Sequence, residues 1–93
     1  MRIAEIDWLQ ADGNYTQLHI GQTVLRMRET LSELEAWLVP SGFARVHRSI
    51  IVNIDRVFRL EPWTNGEYLI TLRNGKKINS GRGYGERVRS LFS

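Results

Sequence analysis

The sequence predicts a mainly β domain with antiparallel strands, one short internal helix and a short C-terminal helix. Three observations predict this class. Apolar and polar residues alternate over most of the chain, turn dipeptides such as Asn74-Gly75 separate the alternating runs, and helical spacing is confined to two short segments. With 93 residues, of which 42% are hydrophobic and 25% charged, the chain predicts a single domain over residues 1–93.

The first third of the chain predicts three strands. Residues 3–9 alternate, and the turn Asp12-Gly13 ends that run. Residues 14–20 and 23–28 alternate on either side of Gly21-Gln22, which predicts a hairpin with one apolar face. That face carries Thr16, Leu18, Ile20, Thr23, Leu25 and Met27.

A short helix is predicted after this hairpin. Thr30 and Glu33 form a capping-box pattern, in which the threonine hydroxyl accepts from a free N–H of the first turn and the glutamate accepts from the N–H of the cap. Pro40 and the following glycine end the segment. The apolar stripe of this helix consists of Leu31, Leu34 and Leu38.

Strand patterns return at Phe43. One alternating run is predicted from residue 50 to residue 60, interrupted by Arg56, and another from residue 68 to residue 72. For the next hairpin we expect a three-residue loop at residues 74–76 that sets Leu72 opposite Ile78. The predicted C-terminal helix carries Tyr84, Val88, Leu91 and Phe92 at helical spacing.

Charge is unevenly distributed along the chain, although the net charge is only +3. Residues 1–41 carry three arginines against six acidic residues, whereas residues 42–93 carry ten basic residues against four acidic ones. The chain has no cysteine, which excludes a disulfide framework and a cysteine-based zinc site. A basic half on a small domain indicates a polyanionic partner.

The residue patterns do not favour an enzyme. His47-Arg48-Ser49 contains nucleophile and base residue types, but neighbours on an extended chain point to opposite faces and no acidic residue adjoins them. Gly81, Gly83 and Gly85 before a helix can cradle a phosphate, but their spacing is not that of a dinucleotide fingerprint. We therefore expect no catalytic residues, no cofactor and no metal site.

Four segments resemble the LytTR DNA-binding domain of bacterial response regulators, and the resemblance covers almost the whole chain. They are Asp12-Gly-Asn-Tyr15, the Arg-x-x-Leu-x-x-Leu spacing of Arg28, Leu31 and Leu34, the run Phe43-Ala-Arg-Val-His-Arg-Ser-Ile-Ile-Val-Asn53, and Gly81-Arg82-x-Tyr84. The chain departs from the family pattern in two ways. Gly81 stands where the family usually has serine, and the family's opening strand is expected to be missing, so that the domain is truncated at its N-terminus.

The resemblance implies an antiparallel, barrel-like fold whose loops, rather than a recognition helix, enter successive major grooves of double-stranded promoter DNA. Three contacting regions follow by position. Asn14 and Tyr15 lie in the first, the second comprises His47, Arg48 and Ser49, and the third comprises Arg82 and Gly83.

Side-chain chemistry suggests roles for these residues. Arg48 and Arg82 can each grip O6 and N7 of guanine, and Asn14 can read adenine or hold a phosphate. His47 fits a DNA contact and a hydrogen-bonded structural role equally well. Phosphate contacts that carry no sequence information are expected from Arg45, Lys76 and Lys77, and roles in the core or a turn from Trp8 and Asn53.

We interpret the chain as the effector domain of a cytoplasmic transcription factor, joined to a sensory or receiver domain and without a small-molecule substrate. An alternative is a β-rich interaction module that binds RNA or an acidic protein through the same basic face. The missing opening strand would also leave residues 3–9 as an exposed edge strand. We therefore expect self-association, with a homodimer as its simplest form.

Overall fold

The computed structural model describes residues 3–92, which form eight strands and two helices. The strands are Trp8–Asp12 (β1), Tyr15–Ile20 (β2), Thr23–Met27 (β3), Phe43–His47 (β4), Ile50–Asn53 (β5), Val57–Pro62 (β6), Tyr68–Leu72 (β7) and Lys77–Asn79 (β8). The helices are Leu31–Leu38 (α1) and Gly85–Phe92 (α2). No helix within this described range is long and apolar enough to cross a membrane.

The strands form a five-stranded sheet, in the order β3-β2-β1-β5-β4, and a three-stranded sheet, in the order β6-β7-β8. Every pairing is antiparallel. The predicted class, mainly β with one internal and one C-terminal helix, is confirmed. The hairpin of β2 and β3 is also confirmed, with Leu18 opposite Leu25 on its apolar face.

The five-stranded sheet is covered on both faces. On one face, the leucines of α1 pack against the sheet in a cluster of Ile6, Leu9, Leu18, Leu31, Leu34, Leu38, Phe43 and Ile51. On the other face, the three-stranded sheet and α2 close a second cluster of Trp8, Ala44, Val46, Val52, Ile70, Leu72, Ile78 and Val88. Residues on alternate positions of β1, β4 and β5 therefore serve two different cores.

The capping box at the start of α1 is confirmed. The N–H of Glu33 donates to Oγ1 of Thr30 over 3.2 Å, and the N–H of Thr30 donates to Oε1 of Glu33 over 2.8 Å. The hydrogen bonds that the Glu33 carboxylate accepts from the N–H and the hydroxyl of Thr30 lower the pKa of Glu33. A charged glutamate at this position also complements the positive end of the helix.

The predicted strand over residues 3–9 is wrong in position. Residues Ile3–Glu5 form a single turn of 3-10 helix, and β1 begins only at Trp8. The cause lies far along the chain, because the Nδ2 group of buried Asn53 donates to the carbonyls of Ala4 (3.2 Å) and Ile6 (2.9 Å). Those carbonyls are thereby satisfied outside a strand ladder.

The edge-strand expectation is also wrong. β1 lies between β2 and β5, so the edges of the five-stranded sheet are β3 and β4. Self-association through an exposed N-terminal edge therefore loses its structural basis.

The prediction of one alternating run over residues 50–60 is wrong as well. β5 ends at Asn53, whose Oδ1 accepts from the N–H of Asp55 over 3.1 Å and starts the 3-10 turn Ile54–Arg56. This turn takes the chain from one sheet to the other. As a result Phe58, which was expected on the apolar face, is 62% exposed on β6.

The hairpin of β7 and β8 has a three-residue loop, as expected, but one residue earlier than predicted. Ile70 pairs with Ile78, and the N–H of Leu72 donates to the carbonyl of Lys76, so the loop comprises residues 73–75. The expected opposition of Leu72 and Ile78 is wrong, although Ile78 does lie on the apolar face. Gly75, with φ of 92°, takes the last loop position, where a positive φ is required.

His19 packs against the start of β1. Its ring stacks on that of Trp8, with 3.8 Å between the ring centroids and 12° between the planes. The Lys76 ammonium lies 4.9 Å from the centroid of the Trp8 ring. Burial and, to a smaller extent, the charge of Lys76 lower the pKa of His19, and Asp7 partly opposes them. The fold therefore favours the neutral imidazole.

Replacement of Asn53 tests the anchor of the N-terminal segment. Asn53→Ala removes the donor to two carbonyls and the acceptor for the Asp55 N–H. Because buried groups lose their partners, we expect the free energy of unfolding to fall by about 2–4 kcal/mol in urea denaturation. Asn79→Ala, at an exposed residue of β8, is the control and is expected to change it little. Equal effects of the two substitutions would contradict this account.

The lowered pKa of His19 predicts a pH dependence of stability. At a pH between the ordinary pKa of 6.5 and the lower pKa of the folded state, His19 is protonated in the unfolded chain and neutral in the folded one. The free energy of unfolding should therefore fall as the pH drops from about 7 to about 5. His19→Phe retains an aromatic ring without the titration, so its pH dependence should be flatter. An unchanged slope in urea midpoints would refute the prediction.

Candidate nucleic-acid interface

Two of the predicted contact regions lie side by side at one end of the five-stranded sheet. β1 and β5 are antiparallel, with Gln10 opposite Ile50, so the turn after β1 and the turn before β5 emerge at the same end. The N–H of Ala11 in β1 donates to the carbonyl of Ser49 over 2.9 Å and ties the turn before β5 to the strand that leads into the other turn. We call residues 13–14 the first turn and residues 48–49 the second turn.

The first turn exposes Asn14 and the adjoining Tyr15. Gly13 has φ of 63° at the first loop position, which suits a two-residue hairpin turn. Tyr15 is 36% exposed, and the guanidinium of Arg26 lies 4.4 Å from the centroid of its ring. Arg26 also pairs with Asp12, with 3.5 Å between Nε and Oδ2. Arg26 was not predicted as a site residue, although the alternating pattern placed it on the same face of the hairpin as Tyr15.

The second turn exposes Arg48 between two partly buried residues. The N–H of Ser49 donates to Nδ1 of His47 over 3.0 Å. Because Nδ1 accepts this bond, the neutral ring carries its proton on Nε2, which is left as a donor. The structural role and the contact role considered for His47 are therefore compatible.

The third turn, residues 81–84, leads into α2. The N–H of Tyr84 donates to the carbonyl of Gly81 over 3.0 Å, and Gly83 has φ of 86°. A positive φ at the third residue is what a type II turn requires. Arg82 occupies the second position of this turn and is exposed.

A backbone hydrogen bond brings the third turn to the second. The N–H of Gly81 donates to the carbonyl of Val46 over 2.8 Å. Between the two turns lies a cleft of about 490 Å³, lined by His47, Arg48, Gly81, Arg82 and Tyr84. We call this space the arginine cleft. Tyr84 was predicted on the apolar stripe of the C-terminal helix, although the Gly-Arg-x-Tyr match already placed it two residues after Arg82.

Gly81 is required by close packing. A Cβ atom at this residue would lie 2.9 Å from Cδ2 of His47 and 3.2 Å from its Cγ. Such distances force the neighbour to move. The glycine that departs from the family's serine therefore lets the His47 ring lie directly against the third turn.

The three residues predicted to contact phosphate do not line the arginine cleft. The side chain of Arg45 is 15% exposed and its guanidinium points to α1, where it pairs with Glu35. Lys76 lies over Trp8, and Lys77 is exposed on β8. Trp8 and Asn53 are 5% and 4% exposed, in agreement with their expected structural roles.

Comparison with known proteins identifies the family. The family model of the LytTr DNA-binding domain matches residues 1–93. Sensory transduction protein LytT of Bacillus anthracis is 34% identical over 81 residues, which is 87% of this chain and 32% of the relative. Transcriptional regulatory protein LytR of Staphylococcus aureus (strain N315) is 33% identical over 69 residues, 74% of this chain and 28% of the relative. The chain thus spans about a third of the length of such relatives.

A solved structure has the same fold. It is a LytTr DNA-binding domain from Bacillus cereus, with a TM-score of 0.91 and 25% sequence identity, and the match covers 100% of this chain and 85% of that one. The family is one of DNA-binding domains and not of enzymes. On the match along its whole length and on this fold, the chain belongs to the LytTr DNA-binding domain family.

Proposed function

We propose that this domain reads specific double-stranded DNA with its three turns and serves as the effector domain of a bacterial transcriptional regulator. The observation that carries the proposal is the arginine cleft. Arg48 and Arg82 are exposed on two turns that a backbone hydrogen bond holds together. Two exposed arginines on adjacent turns suit bidentate contacts with guanine O6 and N7 in the major groove.

The dimensions of the domain support this mode of binding. Strands lie about 4.8 Å apart, so the first and second turns, which join neighbouring strand pairs, are separated by about 10 Å. This row fits a major groove of about 12 Å width. The longest extent of the domain is 33 Å, close to one turn of B-DNA at about 34 Å.

Loops rather than a helix make these contacts. The leucines of α1 are buried against the five-stranded sheet, and Val88 anchors α2 in the second core. Contacts made by turns in a major groove favour DNA over RNA as the ligand, because the major groove of an RNA duplex is too deep and narrow for side chains to read.

The regulatory setting follows from the relatives. They bear the names of sensory transduction and transcriptional regulatory proteins, and each is about three times as long as the matched segment. We propose that the present domain likewise works with a sensory or receiver domain, which controls its access to promoter DNA.

Substitution of the two cleft arginines tests base reading. A duplex is first selected with this domain from a random pool, and a scrambled duplex of the same composition serves as the reference. Arg48→Ala and Arg82→Ala should each lower affinity for the selected duplex by about 1–3 kcal/mol and relax preference at one base position. Fluorescence anisotropy with both duplexes measures the effect.

Lys77→Ala provides the contrast. If Lys77 contacts phosphate, its loss weakens binding to both duplexes equally and lowers the salt slope by about one unit. A duplex RNA of the selected sequence is added as a competitor in the same assay. Unchanged discrimination in both arginine variants, or preferential binding of the RNA, would overturn the proposed function.

Gly81→Ala tests whether the His47 ring must lie where it does. The added Cβ displaces the ring, and we expect a loss of about 1–3 kcal/mol in the free energy of unfolding from overpacking, together with weaker binding of the selected duplex. In a His47→Ala background the clash with the ring is absent and the 3.3 Å contact with the Cα of residue 47 remains, so Gly81→Ala should cost less stability there than in the unaltered domain. Equal losses in the two backgrounds would show that the clash is not the cause.

A further inference from the structure

Arg45 connects α1 to the second turn. It shares a face of β4 with buried Phe43, toward α1. Nη1 of Arg45 donates to Oε1 of Glu35 over 2.9 Å and to Oγ of Ser32 over 3.1 Å. Nη2 of the same guanidinium donates to the carbonyl of Arg48. One side chain therefore joins two residues of the helix to the residue that projects into the arginine cleft.

The two terminal nitrogens of the Arg45 guanidinium are engaged by the protein. Both terminal nitrogens have partners, and Nε is buried without a hydrogen-bond partner among the described residues. The side chain is 15% exposed, and that of Glu35 is 30% exposed. A phosphate would compete for this group with Glu35, Ser32 and the Arg48 carbonyl.

The second turn is held at three points, two of them by side chains of β4 and one by the backbone of β1. Its Ser49 N–H donates to His47, its Ser49 carbonyl accepts from Ala11, and its Arg48 carbonyl accepts from Arg45. The Arg48 carbonyl and the Ser49 N–H belong to the same peptide unit, so Arg45 and His47 hold this peptide together. Loss of the contact from Arg45 removes one of these two restraints on the backbone next to the Arg48 side chain.

We propose that Arg45 is a positioning residue for DNA recognition, held by Glu35 and Ser32 of α1, in place of the phosphate contact expected from the sequence. The inference rests on the proposed function, because it assigns Arg45 a role through Arg48. It also gives α1 a part in recognition without any contact between that helix and DNA. A base reader needs such support, since small displacements cost specificity.

Two substitutions separate positioning from phosphate contact. Arg45→Lys keeps the charge but cannot bridge helix and turn with a planar fork. Glu35→Ala removes a negative charge, which by itself would strengthen binding to every duplex, and alanine suits a helix. Positioning predicts that both variants lose affinity for the selected duplex by about fivefold or more, with little loss for the scrambled duplex. The salt slope should stay unchanged.

Matched variants complete the design. Glu61→Ala removes one acidic residue from β6, in the other sheet, and should not reduce discrimination. The Arg45→Lys, Glu35→Ala double variant should lose no more discrimination than either single variant, because both break the same link. Thermal unfolding confirms that each variant is folded at the assay temperature.

The outcomes are distinct. If the unaltered domain does not discriminate between selected and scrambled duplex, the proposed function fails. If it discriminates and Arg45→Lys and Glu35→Ala do so equally well, the positioning role fails. A uniform loss on both duplexes in Arg45→Ala, with a salt slope smaller by about one unit and full rescue by Arg45→Lys, would restore the phosphate contact.

Discussion

The burial of the five-stranded sheet on both faces is the constraint on which the structure depends. α1 covers one face, and the three-stranded sheet with α2 covers the other. The central strands can then present functional side chains only beyond their ends. Three turns lie beyond strand ends, and backbone hydrogen bonds from Ala11 of β1 to Ser49 and from Gly81 to Val46 of β4 tie the second and third turns to the sheet. The sheet thus supplies the order that the proposed recognition by loops requires.

Local patterns allowed much of the fold to be predicted. The β2–β3 hairpin and α1 depend on residues within a few positions of one another, such as Thr30 and Glu33, so alternation and capping were sufficient. The N-terminal segment was not predictable in this way, because Asn53 sets it from 47 and 49 residues away. The same asparagine ends β5 and breaks an alternating pattern that continues in the sequence.

The candidate site was also predictable only in part. The resemblance to the LytTr family indicated which residues occupy the three turns, and side-chain chemistry singled out Arg48 and Arg82. Alternation could place Arg45 on a strand but could not reveal that its partners lie on α1 and at the Arg48 carbonyl. Nor could composition reveal that Gly81 is needed for contact with His47 rather than for backbone freedom. Arginines of one small domain thus differ in role: Arg45 is held within the protein, whereas we propose recognition for the exposed Arg48 and Arg82.

The central claim is that the three turns form a single DNA-reading surface. Titration of the isotope-labelled domain with the selected duplex, followed by amide chemical shifts, tests it most directly. The account predicts that the largest shifts cluster at residues 13–15, 47–49 and 81–84, with small shifts along β6 and at the residue after it, where Phe58 and Trp63 are exposed. Shifts centred on β6, or confined to one turn, would contradict the account.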